Sequence, residues 1–355
     1  MKSLYKDKPV FGFDIGRSSI KVLQINQLGS RAEVVGYGTI QFEGSAINDQ
    51  GIIVDHEAII LAAHKLLSKG LVGHVTTKRV AVSLPNANSF SRVLTLPKMD
   101  DKDLKAAVSA EVDQSIPLPS DELYYDYSVT RILEDEGMQE VQVVATPSSI
   151  VDSYVGVFDA LGLEIALIES NITSTTRIVV HAEAHDVNTL IVDIGSTSCD
   201  ISIYDGSAIR ATGTVDCSSE RLTANIASEL GISIDQAHSI KTRYGLESSK
   251  KQALIIKAAE PELNKLINEI RKVMRYFTDR SNGSTPIGQI IILGGGANLP
   301  GLATYITNRT RVAARLCSPW NNLSFGKLQP PHELETTLYT TAGGLGLVTQ
   351  KELES

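Results

Sequence analysis

Three cysteines, at 199, 217 and 317, are spread over 355 residues, and no two form a C-x-x-C pair. That excludes a disulfide framework and a thiolate zinc site. The three read as small apolar residues buried in a reducing compartment. Seven histidines supply no H-x-x-x-H zinc pattern with a neighbouring glutamate; His181 and His185 share a helical spacing that a solvated surface explains. No apolar run is long enough to span a bilayer, and no secretory signal is expected at the start. Basic residues are in deficit: 33 Lys and Arg stand against 41 Asp and Glu, for a net charge of −8. A nucleic-acid binder needs a basic stripe, so that class is excluded. Low-complexity linkers are also missing, so the chain is expected to interleave its parts. The 42% apolar content is ample for a packed core, and the length suggests about two domains.

What the chain does have is a hairpin that occurs twice. Residues 11–25 read FGFDIGRSSIKVLQI and residues 190–204 read LIVDIGSTSCDISIY. Asp14 aligns with Asp193, Gly16 with Gly195, and Ser18-Ser19 with Thr197-Ser198. Each copy continues through a turn (Gly29-Ser30, Gly206-Ser207) into a third strand-like run. An internal repeat of this kind implies two related halves. The tract before each Asp is apolar, as in a buried strand, so the carboxylate sits where the strand leaves the core. Gly permits a tight turn, and its backbone N–H groups with the Arg17, Ser18, Ser19, Ser196, Thr197 and Ser198 positions make a cradle for phosphate oxygens. Asp14 and Asp193 are the candidate metal groups, suited to Mg²⁺ held through water. Either hairpin alone reads as an ordinary turn, since Asp-x-Gly followed by Ser is common. Two copies at matched positions favour a shared ligand, a clamped nucleoside triphosphate.

A third segment, IIILGGGANLPG at 290–301, runs a strand into Gly294, Gly295 and Gly296, then Ala297. Three glycines let backbone approach a base or phosphate closely. A later run, Ala342-Gly343-Gly344, suggests a helix packed tightly on a neighbour.

These pieces, in this order, resemble the actin-like ATPase superfamily, which includes actin, hexokinase, the DnaK-type chaperones and FtsA. Asp14 to Lys21 is similar to its first phosphate motif, Asp193 to Ser198 to its second, and Gly294 to Ala297 to its adenosine motif. Within it the chain resembles the PilM proteins of type IV pilus assembly, through AEVDQSIPLPSDELYYDYSV (110–129), VVATPSSIVDSYVGVFDALGLEIALIES (143–170) and SSERLTANIASELGISIDQAHSIK (218–241). The resemblance implies an α/β fold of duplicated actin-like (ribonuclease H-like) βββαβα domains with an inserted FtsA/PilM-type subdomain. It implies ATP and Mg²⁺ as cofactors, Lys21 on a phosphate, and Glu220 and Lys241 beside the adenosine. It also implies Glu169 as the residue that orients the attacking water. The chain departs from the family pattern at Ser218-Ser219, where Gly-Gly is usual, at His238, where Glu is usual, and at Ser170, where Pro is usual. Turnover is therefore expected to be slow at most.

The expected organisation is a first actin-like domain over 1–187 with a partner-binding insert at about 80–168, a second domain over 188–345, and a tail over 346–355. Helices are expected near 55–69, 101–114 and 148–161 and over PELNKLINEIRKVMRYFTDR; strands are expected near 124–133, 140–146 and 163–169. The function implied is a cytoplasmic ATP-binding assembly protein at the inner face of the membrane. It would be recruited without membrane insertion by the N-terminal peptide of a single-span PilN-like protein, with pilus motor ATPases as further partners. Apolar strands at Val80–Leu84 and Val93–Leu96 are candidates for lining the peptide groove. An FtsA-like division protein ranks second: that group ends in a membrane-binding amphipathic helix, and GLGLVTQKELES is too short and acidic for one. A small-molecule kinase ranks third, because no Asp stands in a convincing substrate loop.

Overall fold

The computed structural model describes residues 9–28, 31–183, 187–247, 249–280 and 286–354. The Gly29-Ser30 turn, His185 and Ser355 lie outside them.

The first repeat forms β1 (Phe11–Ile15), β2 (Ser19–Leu28) and β3 (Arg31–Gln41); the second forms β10 (Asn188–Ile194), β11 (Cys199–Tyr204) and β12 (Ile209–Val215). Between them lie β4 (Val72–Gly73), β5 (Arg79–Leu84), β6 (Phe90–Pro97), β7 (Leu123–Leu133), β8 (Met138–Pro147) and β9 (Glu164–Ser170). After them come β13 (Ile287–Leu293), β14 (Ala314–Leu316) and β15 (Leu323–Ser324). The seven-stranded sheet runs β15-β3-β2-β1-β5-β9, with β4 beside β3, and the five-stranded sheet runs β12-β11-β10-β13-β14. The order β3-β2-β1-β5-β9 is thus repeated as β12-β11-β10-β13-β14. Pairing is antiparallel among the first three strands and parallel beyond them in both sheets. The duplication read from the motifs extends to whole sheets.

The helices are α1 (His56–Lys69), α2 (Asp101–Ser115), α3 (Ser148–Leu161), α4 (Asn171–Ala182), α5 (Ser219–Leu230), α6 (Ile234–Tyr244), α7 (Gln252–Arg280), α8 (Leu302–Thr310), α9 (Thr340–Gly346) and α10 (Gln350–Glu354). Local chemistry sets their ends. The Asp55 side chain accepts from the Ala58 amide at the start of α1, and the Gly70 N–H donates to the Leu66 carbonyl at its end. Helix α7 begins earlier than the Leu263–Phe277 stripe suggests. It continues through Pro261 to Gln252 because Ile255, Ala258 and Ala259 bury the added turns. The stripe itself packs under β10, β11 and β13 in the core of the second half. All three cysteines are buried free thiols.

A separate three-stranded sheet, β6-β8-β7, stands off the first half. Helix α2 covers one face, with Leu104, Val108 and Val112 against Leu94, Val141 and Val143. This layer is smaller than the 80–168 expected from the sequence. Residues 80–84 lie between β1 and β9 in the large sheet, and α3 buries Tyr154 and Phe158 in that sheet's core. RVAVSL is a continuous apolar run buried on both faces, which marks a central parallel strand rather than a groove wall. Val80–Leu84 therefore line no groove of the inserted sheet; Ser83 and Leu84 line the cleft between the halves instead. The layer joins the rest at a narrow neck, where Ser89 and Thr146 share a hydroxyl hydrogen bond of 2.9 Å.

Helix α4 carries the chain from the first sheet to the second, and α9 returns to pack under the first. The backbones of α4 and α9 nearly touch, since a Cβ on Gly344 would overlap the Ser174 carbonyl, and α9 lies as close to β1, where a Cβ on Gly12 would overlap the Ala342 carbonyl. The expected tail is docked. Glu352 of α10 accepts from Arg177 of α4 at 3.0 Å and caps its own helix through Thr349.

Gly344→Ala is expected to destabilise the protein by about 2 kcal/mol or more in urea unfolding, because backbone must move. Gly156→Ala is the control. Its Cβ would meet only ordinary contacts inside α3, so it should leave stability unchanged or raise it by up to about 1 kcal/mol. Equal effects at the two sites would mean that the α4–α9 approach is not tight.

Candidate functional site

Both repeated turns close identically. The Gly16 amide donates to the Ser19 carbonyl at 3.0 Å, and the Gly195 amide donates to the Ser198 carbonyl at 2.9 Å. A Cβ on Gly16 would crowd the Lys21 ammonium at 2.8 Å, and one on Gly195 would crowd the Ser198 carbonyl at 2.9 Å. The two turns face each other across a cleft of about 410 Å³. Asp14, Gly16, Arg17, Ser18, Ser19 and Lys21 line one side; Asp193, Gly195, Ser196, Thr197 and Ser198 line the other. Gly294, Gly295 and Gly296 close one end. Gly294 has φ 85°, and a Cβ there would run into the Asp193 carboxylate. The third loop therefore needs glycine to lie against the second hairpin.

The hairpins share a register but differ in charge. Asp14 is paired across its hairpin with Lys21, and Asp193 with Asp200. Lys21 donates to Asp14 at 3.1 Å, and the Ser83 hydroxyl donates to the same carboxylate at 2.8 Å. Asp200 accepts from the Thr214 hydroxyl at 2.6 Å and the Asn171 amide at 2.7 Å. Asn86, at the end of the first sheet, donates across the cleft to Thr214 at 3.2 Å. Burial, then Asp200 and Asp14, push Asp193 up to about 7. Burial also raises Asp200, against the pull of its hydrogen bonds. Carboxylates held this way favour an added cation. Among the described residues no three acidic, His or Cys groups converge enough to ligate an ion directly. Asn171 Oδ1 is shielded and has no hydrogen-bond partner, leaving an acceptor for a donor such as metal-bound water. The donor set thus fits a hydrated divalent cation and phosphate oxygens: Asp14, Asp193 and Asp200 for the cation's waters, and Lys21, the hydroxyls and the turn amides for the anion.

An apolar cavity of about 330 Å³ adjoins the cleft, sharing Ser219, Gly295, Gly296 and Leu338 with it. Leu222, Leu263, Leu266, Leu299 and Leu302 form its walls, and Ser218 and His238 lie at its rim. Lys241 lines it too, with its ammonium committed to the Ser219 carbonyl and hydroxyl and to the Thr223 hydroxyl at 2.7–2.9 Å. Burial lowers Lys241 to about 8. A polar cradle joined to an apolar slot suits a ligand with a polyanionic end and a flat apolar end.

Three expected site residues line neither cavity. Ala297 is buried in the core behind the glycine loop. The Glu220 amide donates to the Ser196 carbonyl at 3.2 Å, so it braces the second turn through backbone alone. Glu169 is buried in a bidentate ion pair with Arg177 at 2.5 and 2.7 Å, away from the cleft walls. Arg17 lines the cleft but bends back to the Asn48 carbonyl and to Asp49. Sequence reading missed Ser83, Asn86, Asn171 and Asp200. Only Asp200 carried a signal, a charged residue inside the apolar CDISIY run at the offset of Lys21 in the other copy.

The sequence profile of the family described as type IV pilus assembly protein PilM matches residues 12–350. The cell division protein FtsA of Enterococcus hirae is 23% identical over 335 residues, covering 82% of this chain and 74% of that protein. Among solved structures, a PilM–PilN type IV pilus biogenesis complex superposes with a TM-score of 0.83 at 22% identity, covering 99% of this chain and 100% of that one. MreB5 of Spiroplasma citri bound to ADP gives a TM-score of 0.54 at 11% identity, covering 98% of both chains. At these identities the likeness to solved structures establishes the actin-like fold.

Glu169→Gln is expected to cost stability rather than ligand binding. It leaves the buried Arg177 short of a charge, which should cost about 3 kcal/mol in urea unfolding, while ATP affinity by calorimetry stays unchanged. Lost affinity at unchanged stability would return Glu169 to the cleft.

Proposed function

The chain belongs to the family of the type IV pilus assembly protein PilM, and on that premise we propose that it binds Mg·ATP between its two halves. Nucleotide state then sets the angle of the halves on an assembly platform at the inner face of the membrane. The observation that carries this reading is the pair of matched turns facing one cleft that opens into an apolar slot. On this reading the two actin-like domains divide near residue 187, with β15 and α9 returning to complete the first, and the inserted layer grips the partner.

Asp14 and Asp193 would hold the waters of Mg²⁺, with Asp200 and Asn171 as further acceptors for them. Lys21 adds a charge-assisted contact to a phosphate oxygen, and Ser18, Ser19, Thr197 and Ser198 supply hydroxyl donors. The bound metal supplies charge neutralisation between phosphates. The adenine lies in the leucine-walled slot, with Ser218-Ser219 and His238 at its rim. Catalysis of phosphoryl transfer rests on positioning the attacking water. Glu169 is tied to Arg177, so turnover is slow, and the nucleotide acts mainly as a conformational ligand.

Among the described residues no helix is long and apolar enough to cross a membrane. Recruitment falls to a partner. The solved complex named for PilM and PilN supports the N-terminal peptide of a PilN-like single-span protein as that partner. Pilus motor ATPases are further partners on the same platform. The physical basis is an extended peptide fixed by backbone hydrogen bonds, with a few apolar anchors.

Asp14→Ala and Asp193→Ala are each expected to weaken ATP binding by at least about tenfold in calorimetry with Mg²⁺ present; unchanged affinity in both would defeat the nucleotide reading. The partner reading is tested by replacing residues 90–145 with a short Gly-Ser linker across the Ser89–Thr146 neck. Pull-down of the PilN-like N-terminal peptide should be lost while ATP binding remains. Capture as strong as by the full chain would remove the inserted layer from recruitment.

A further inference from the structure

The largest of the cavities described lies outside the cleft. It holds about 540 Å³ between the inserted sheet and the second half. Val93 and Thr95 of β6 line one wall, and Ile209 and Ala211 of β12 line the other. Each of these strands ends its sheet: β6 in the order β6-β8-β7, β12 in the order β12-β11-β10-β13-β14. An end strand directs one row of backbone N–H and C=O groups away from its own sheet, ready to pair with another chain. No backbone hydrogen bond joins β6 to β12 among the described residues. The cavity is therefore a slot between two unpaired strand edges.

The slot carries a positive excess. Its two carboxylates, Glu140 and Asp205, are both taken by Arg210, at 2.7 and 2.6 Å. That pairing also ties the inserted sheet to the second half. Arg131 and Arg280 line the slot with no carboxylate partner among the described residues, and Arg92 has only a 3.5 Å contact to Glu111. All three are exposed. Two guanidiniums without a carboxylate and a third held only by a 3.5 Å contact stand out in a chain of net charge −8. Arginine presents a planar fork of donors suited to carboxylates. The strand residues Val93, Thr95, Ile209 and Ala211 that line it are small or β-branched.

We propose that this slot is a docking site for an extended acidic segment of a partner protein, which adds a strand to the β6 or β12 edge and places its carboxylates on Arg92, Arg131 and Arg280. The site is separate from the nucleotide cleft, with which it shares no lining residue.

The test uses the full-length protein and a short fluorescent peptide of alternating Glu and Thr, read by anisotropy. It should bind, and Arg131→Glu with Arg280→Glu should weaken it by at least about tenfold. Raising salt should weaken it too, as these charges are exposed. A Lys-Thr peptide should not bind, and a Glu-Pro peptide, which lacks every second N–H, should bind more weakly than Glu-Thr. If the charge reversals shift the thermal unfolding midpoint, Arg131→Gln with Arg280→Gln replaces them. Equal binding to wild type and variant, or to the Lys-Thr peptide, would overturn the proposal. So would sedimentation in which wild type self-associates and the variant does not while the Glu-Thr peptide stays free, since the occupant would then be a second copy of this chain.

Discussion

Two like charges at the ends of two buried strands set the terms for this structure. Asp14 ends the central strand of one sheet and Asp193 that of the other, and both face one cleft. A carboxylate taken from water needs compensation. Asp14 receives it from Lys21 within its own hairpin and from Ser83 on the neighbouring strand β5. Asp193 does not: burial, and then its cross-strand neighbour Asp200, a third carboxylate, raise its affinity for a proton. The second half is thus under-compensated, and a proton, a cation or an opening of the cleft relieves it. On the proposed reading, Mg·ATP provides that relief, which makes closure of the halves depend on the ligand.

The duplicated hairpin is symmetric in backbone and asymmetric in charge, and the asymmetry separates two tasks. Lys21 keeps the first turn neutral enough to fold without a ligand and offers one cation to an anion. Asp200 occupies the equivalent place in the second turn and is wired outward. Thr214 and Asn171 hold it, and Asn86 reaches Thr214 from the first half. Asn171 opens α4, the crossover between the halves, and Asn86 stands just before the neck of the inserted layer. One buried carboxylate therefore contacts the second sheet directly, the crossover directly, and the insert's stem through one hydroxyl.

Much of this was legible in the residues, for physical reasons that also mark where legibility ends. A buried strand that must end in a carboxylate and turn tightly has few sequence solutions, so DIGRSS and DIGSTS could be read as equivalent and the shared sheet order followed. The capped helix at His56–Lys69 and the stripe of α7 were visible because amphipathic period and end signals are local. The insert boundary was not, because RVAVSL is apolar on both faces and carries no period to separate a central strand from a satellite one. Glu169 was assigned by resemblance to a water-orienting role. What holds it elsewhere is Arg177, a helical turn or two further along the chain, and no local pattern announces that a buried arginine will claim a given carboxylate. Asn171 and Asn86 were invisible for a similar reason: an amide gains its role only from what the fold sets opposite it.

The same limits bear on how the halves can move. The α4–α9 contact is backbone against backbone at Gly344 and Ser174, with Ile178 and Val179 of α4 packed beside Ala342 and Leu347, a close-packed contact suited to small rigid-body shifts. The crossover is further pinned by Arg177, which engages Glu169, the Gly344 carbonyl and Glu352 together. On the proposed reading, motion is smaller at this end than at the open end, where polar contacts bridge the halves. Two of these are Asn86–Thr214 and Glu140–Arg210. Both contacts are largely buried, so they would have to shift together rather than break, since a buried charge left alone is costly. A change of cleft angle would act first on them, and the second of them fixes the inserted sheet against the rest of the molecule. The layer proposed to hold the partner is thus anchored to the part of the fold that the nucleotide cleft is best placed to move.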